Sequence, residues 1–209
     1  MERLLFYTPE TSLDLAAAAA AGSDSEAQRW LGWDKGIVTD AHVREAVLQL
    51  RPGDTNSLRS SPVAQRLLAH PFEPRPDQGE ILIGVRLDDG RYAGVTGLDV
   101  STGEIGGWLA PHARGQGFGA ELFGAAVILG HAHLGLQTAR AGHETTNTAS
   151  ARALAGAGFV ADDGPPRHTL ADGREIDSRW LRHTAAEPTS RCRGAVPAAP
   201  SEPAGRSAT

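Results

Sequence analysis

The apolar positions change period along the chain. Over 11–70 the spacing is helical: an alanine run at 16–21, a segment at 24–33, and a segment at 40–50. In the last of these Val43, Val47 and Leu50 recur at four- and three-residue steps behind Thr39 and Asp40, either of which can cap. Helices with one apolar stripe need a surface to cover, so they are expected to lie on a sheet. Pro71, Pro74 and Pro76 end the helical pattern. From Glu80 the period shortens: two β-rich runs, 80–87 and 92–98, flank Asp88-Asp89-Gly90-Arg91, which predicts a hairpin, and a third strand follows over about 103–109. A second hairpin is expected from 167–170 and 175–181 around Asp172-Gly173. Between the strand groups the pattern predicts a helix over 119–131, a short strand over 138–141 and a short helix over 149–155 stopped by Gly156 or Gly158. The economical arrangement is an α+β domain, a mixed sheet with helices on both faces.

Length and composition narrow this further. At about 150 residues per domain, 209 residues make one domain with an extension. The extension is the stretch 185–209, rich in Ala and Pro (Pro197, Pro200, Pro203) and poor in large apolar side chains, and disorder is expected there; residues 1–184 form the domain. With 40% hydrophobic residues the chain can bury a real core. A net charge of −5 lacks the global basic field of nonspecific nucleic-acid binders, so no nucleic-acid partner is expected. Lys35 is the one lysine beside 19 arginines, a bias that reflects G+C-rich coding more than chemistry. The single cysteine, Cys192, makes neither an internal disulfide nor a cysteine zinc site, which fits a reducing cytoplasm. No apolar run is long enough to span a membrane, and Pro9, Glu10 and Asp14 interrupt the only stretch resembling a leader. No metal site is expected either: His131 and His133 stand two apart at a helix end, the wrong spacing for one helical face, and read as surface or dipole partners.

The informative segment is Trp108-Leu-Ala-Pro-His-Ala-Arg-Gly-Gln-Gly-Phe-Gly-Ala120 and the amphipathic helix after it, with Leu122, Ala126 and Leu129 on one side. Glycines at 115, 117 and 119 let successive N–H groups turn to one point, and the helix adds its unpaired amides and positive dipole end, a geometry that suits a pyrophosphate. Three phosphate-binding patterns compete, beside the plain reading as a turn. A Walker A loop needs a lysine that is absent here. A relaxed dinucleotide fingerprint would use Gly115, Gly117 and Ala120 with Glu144 downstream, but Pro111, His112, Ala113 and Arg114 intervene before its first glycine and no βαβ repeat surrounds it.

The third pattern, Arg-x-x-Gly-x-Gly from Arg114 to Gly119, resembles the coenzyme A loop of the GCN5-related N-acetyltransferase (GNAT) superfamily, and its surroundings resemble the RimJ/RimL-type branch. The likeness runs from Glu104-Ile-Gly-Gly-Trp-Leu-Ala-Pro through Leu134-Gly-Leu136, Asn147-Thr-Ala-Ser150 and Gly158-Phe159 to the hairpin around Asp172-Gly173. It implies a mixed, mostly antiparallel sheet in which two parallel strands splay to hold the cofactor. Residues 103–182 would be the coenzyme A-binding core and 11–70 the helical acceptor side.

The implied activity is acetyl transfer from acetyl-CoA to a primary amine, of a protein N-terminus or a small molecule, by direct transfer in a ternary complex. The implied oligomer is a homodimer. Cofactor contacts fall on Trp108, Leu109, Ala110, Arg114, Gly115, Gln116, Gly117, Phe118, Gly119, Ala120, Asn147 and Ser150. Glu104, expected to be partly buried beside Ile105 and Trp108, would take the amine proton; its plain alternative is pairing with a neighbouring arginine. Ser150 would contact the sulfur and protonate the leaving thiolate, although Asn147 and Ser150 also suit a helix cap. A backbone N–H near Leu109 would hold the developing oxyanion. Trp33 is the candidate for acceptor contact. Two rivals stay open: an acyl-CoA sensor without turnover on the same fold, and a dinucleotide enzyme.

Overall fold

The computed structural model describes residues 2–33, 41–49 and 80–186. The helical reading of 50–70, the prolines at 71–76 and the tail beyond Ala186 lie outside the described residues. Two four-stranded sheets form the frame.

The first sheet is an antiparallel meander of β2 (Glu80–Arg86), β3 (Tyr92–Leu98) and β4 (Ile105–Leu109), edged by β1 (Leu4–Tyr7). The predicted turn joins β2 to β3, with Gly90 at φ 71°, a left-handed value that glycine adopts without strain. On one face lie α1 (Ser12–Gly22) and α3 (Ala41–Leu48). Leu13, Ala17, Ala20 and Ala21 of α1, with Val47 and Leu48 of α3, pack on Ile83, Tyr92 and Val95. Alanine brings α1 close to the strands. Its start is fixed by a capping box between Thr11 and Asp14. The short α2 (Ser25–Leu31) follows, capped by Asp24 and ended by Gly32 at φ 59°.

The second sheet centres on β8 (Glu175–Thr184), which pairs antiparallel with β5 (Thr138–Glu144), β6 (Val160–Asp162) and β7 (Arg167–Thr169). α4 (Phe118–Ile128) packs on the strands of the first sheet and on α5 (Thr148–Gly156), which also meets β5. A second core forms where Phe123, Ala126 and Val127 of α4 and Leu154 of α5 meet Leu98, Ile105, Ala139, Ala141 and Phe159. After Ile128 the helix widens into a π turn, Leu129–His133. There His131 is 7% exposed, its Nε2 3.0 Å from Nδ1 of His183 and its Nδ1 2.6 Å from the Leu136 carbonyl. The expected surface histidine is therefore a core one.

The sheets meet at one parallel bridge, Glu104 to Arg140, where the Arg140 N–H donates to the Gly103 carbonyl at 2.8 Å. Beyond it β4 and β5 separate, and this is the expected splayed pair in a mixed, mostly antiparallel α+β fold.

Candidate active site at the splayed strands

The register of β3 on β4 decides which backbone groups face the opening. Ala110 N–H donates to Ala93 at 2.8 Å and Asp99 N–H to Glu104 at 2.9 Å, so 93/110 and 99/104 are hydrogen-bonded pairs. Alternation makes Leu98/Ile105, Thr96/Gly107 and Gly94/Leu109 the non-bonded pairs, whose β4 backbone groups point toward β5. Beyond the bridge β5 no longer meets them, so the N–H groups of Gly107 and Leu109 face the cleft. The Leu109 carbonyl is engaged by Nε of Arg114 at 3.0 Å.

Two clefts adjoin at this point. The larger, about 460 Å³, is lined by Trp108, Leu109, Arg114, Gly115, Gly117, Gly119, Ala120, Asn147 and Ser150 among others. The smaller, about 240 Å³, is lined by Glu104, Gly106, His143, Glu144, His168 and Trp180 among others. Trp30, Leu31, Gly107, Phe123, Asn147 and Ser150 line both, which marks where the clefts meet.

The larger cleft opens on the glycine loop. Gly115 and Gly117 have φ of 72° and 81°, and a Cβ at Gly115 would meet nothing within 4 Å. Gly117 caps α4 without any side-chain hydrogen bond, so the first-turn amides receive no cap acceptor. Nη1 of Arg3 donates to the Gln116 carbonyl at 2.7 Å, taking an acceptor of the loop and none of its donors. Exposed, amide-rich backbone at a helix N-terminus fits the diphosphate of a coenzyme. Gly119 acts through packing instead, because a Cβ there would lie 2.8 Å from Cβ of Ala153, and its absence lets α5 approach α4. That approach brings Asn147 and Ser150 to the loop. Oδ1 of Asn147 accepts from the Ser150 N–H at 3.0 Å, so Asn147 is a helix cap and a cleft wall at once.

Four predicted residues are placed differently from expectation. Glu104 is exposed rather than partly buried as expected, and it makes no ion pair among the described residues, so the alternative reading, pairing with an arginine, is not found there either. The Arg114 side chain is held by Asp24, at 2.8 and 2.5 Å, and by Glu26 at 3.2 Å. Those contacts raise the Arg114 pKa against the burial that lowers it, and they hold Asp24 below the ordinary carboxylate value although burial acts to raise it. Phe118 is 4% exposed and packs with Leu4, Ala93 and Ala113 under the Arg3 guanidinium. Trp33 stacks edge-on against Trp108, centroids 4.4 Å apart, and lines neither cleft. Ala110 is fully buried, and Gln116 is exposed with its side-chain amide on the His112 carbonyl.

Trp30, Leu31 and Trp33 read from the sequence as core or cleft wall, and of these Trp30 and Leu31 line both clefts, in the place expected of Trp33. The structure adds further wall residues. Ile176, Ser178 and Trp180 line the smaller cleft as alternate residues of β8, a period of two visible in the sequence. His143, Glu144 and His168 carry no local signal, since the topology alone brings them together.

Residues 3–160 match the family described as the acetyltransferase (GNAT) domain. No protein of curated function matches the chain in sequence. A GNAT-family acetyltransferase from Bacillus anthracis shares the fold with a TM-score of 0.60 at 16% identity, over 88% of this chain and 95% of that one. RimL, a ribosomal-protein alpha-N-acetyltransferase in complex with coenzyme A, aligns over the same 88% and 95% with a TM-score of 0.58 at 16% identity. An aminoglycoside acetyltransferase in complex with coenzyme A aligns over 87% and 94% with a TM-score of 0.53 at 18% identity. With the family match covering most of its length and the splayed strands in place, this chain belongs to the GNAT family of N-acetyltransferases.

Proposed function

We propose that the protein transfers an acetyl group from acetyl-CoA to a primary amine, of a small molecule or a protein N-terminus, within one ternary complex. The meeting of the two clefts at Gly107, Asn147 and Ser150 carries this reading. The larger cleft takes the coenzyme, with the loop amides of 115–120 toward its diphosphate and β4 at Trp108 and Leu109 along its pantetheine arm. The coenzyme supplies an activated thioester. Relatives with coenzyme A in their complexes, RimL among them, support the same use of this fold.

The chain's own groups then divide the work. N–H groups of Gly107 and Leu109, left without a strand partner, sit where they stabilise negative charge on an acyl oxygen. Glu104 lines only the acceptor cleft and is open to water, so it takes the amine proton directly or through a water molecule. The need for it depends on the substrate. A lysine-like amine of pKa about 10.4 costs about 4.6 kcal/mol to neutralise at pH 7, whereas an α-amine near 7.7–8.0 costs about 1 kcal/mol. Ser150 lies at the junction and offers its hydroxyl to the leaving sulfur.

The test is an acceptor screen with the wild type and Glu104→Gln. The variant is expected to lose rate about 10²-fold or more, mainly below neutral pH and mainly with high-pKa amines. An unchanged pH profile removes Glu104 from the mechanism. Coenzyme binding by calorimetry with no thiol released for any amine would instead establish a sensor. NADH binding that coenzyme A does not displace would establish the dinucleotide enzyme.

A further inference from the structure

α2 has only seven residues, too few to hold a helix by its own hydrogen bonds, and its ends are tied by arginines from opposite sides of the active site. At its start, Asp24 caps the helix by accepting from the N–H groups of Glu26 and Ala27 at 3.0 and 3.2 Å. The same carboxylate receives the Arg114 guanidinium of the coenzyme loop. At its end, Nη1 and Nη2 of Arg174 donate to the carbonyls of Arg29 and Gln28, each at 3.1 Å, while Nε donates to Asp172 at 2.7 Å. Arg174 belongs to the β7–β8 turn. Gly32 lies beneath that turn so closely that a Cβ would fall 2.8 Å from Leu170. Immediately after the two carbonyls that Arg174 holds, Trp30 and Leu31 line both clefts.

We propose that α2 is a strut spanning the active site from the coenzyme loop to the β7–β8 turn, and that Arg174 is a positioning residue setting the acceptor wall through Trp30 and Leu31. This rests on the acetyl-transfer reading of the smaller cleft. Arg174 itself lines neither cleft, so it acts only through the helix it holds. A guanidinium suits this role because one planar fork reaches two adjacent carbonyls and a carboxylate together, which an ammonium cannot do. Cationic donors at a helix C-terminus also meet the dipole favourably. The side chains of Arg174 and Asp172 are 46% and 33% exposed, so the tie adds little to global stability and its loss is felt in position.

The experiment uses the full chain with Arg174→Ala and Arg174→Lys. For Arg174→Ala the acceptor KM rises about tenfold or more, kcat falls less, and the Kd for coenzyme A stays within about twofold, since loop and β4 hold that ligand. Arg174→Lys recovers part of the loss. Hydrogen exchange over 25–33 speeds up in Arg174→Ala, while the melting temperature hardly moves. An unchanged acceptor KM, or a coenzyme Kd that worsens as much as the acceptor KM, overturns the proposal. If the wild type turns over no amine, acetyl transfer is refuted, and exchange over 25–33 still decides whether Arg174 holds the strut.

Discussion

At the scale of single residues, the most demanding feature is Asp14, 4% exposed beneath the first sheet. Oδ1 accepts from the hydroxyls of Tyr7 and Tyr92 at 2.7 and 2.8 Å, and Oδ2 from the N–H groups of Glu10 and Thr11 and the Thr11 hydroxyl at 3.0, 2.9 and 2.9 Å. Burial acts to raise its pKa, but the hydrogen bonds outweigh it and hold the carboxyl below the usual range. Both tyrosine hydroxyls are pushed up, chiefly by burial, and stay protonated donors. A depressed carboxylate pKa stabilises the fold above the unfolded value of about 3.9, and that contribution is lost as pH falls through the lower folded value. Asp14→Asn is therefore expected to cost about 2–4 kcal/mol in urea unfolding at pH 7, with the gap to wild type closing toward pH 3. A gap that stays constant over that range would assign the effect to packing rather than charge.

Elements show where sequence was sufficient and where it was not. The β2–β3 and β7–β8 hairpins, α4 and α5 were readable because each has a local signature: Asp-Gly turns, a three- and four-residue period, or an Asn cap. Strands β1 and β6 were not, because four and three residues carry too little period and owe their extension to partners at 83–86 and 180–182. β5 runs on through Gly142, His143 and Glu144, past the expected end at 141, because β8 pairs with it as far as Ser178. In the site, the glycine loop was legible through its backbone demands, whereas the fate of the Arg114 side chain depended on α2, some 90 residues earlier in the chain. Two glycines of α4 make the point testable. Gly119→Ala sets a Cβ 2.8 Å from that of Ala153 and is expected to cost about 1–2 kcal/mol after the gain in helix propensity, with weaker coenzyme A binding. Gly124→Ala meets nothing within 4 Å and is expected to stabilise by about 0.5–1 kcal/mol. Equal shifts for the two in urea unfolding would refute close packing of α4 on α5.

For the whole molecule, the decisive fact is that, among the described residues, the backbones of the two sheets pair at a single parallel bridge and then part. Two adjoining clefts lie there, one with the glycine loop, the other with Glu104 and the β8 face, and Asn147 and Ser150 line both. On the proposed reading, donor and acceptor entering from opposite ends can be present together. Such a layout favours direct transfer, because neither substrate has to leave for the other to enter. Initial rates with both substrates varied are expected to give intersecting lines. On the proposed role of its hydroxyl, assisting departure of the sulfur without bonding to the acyl group, Ser150→Ala is expected to lower kcat about tenfold with both KM values nearly unchanged. Parallel lines with total loss of activity in Ser150→Ala would make that hydroxyl a nucleophile, and a covalent route would replace the ternary one.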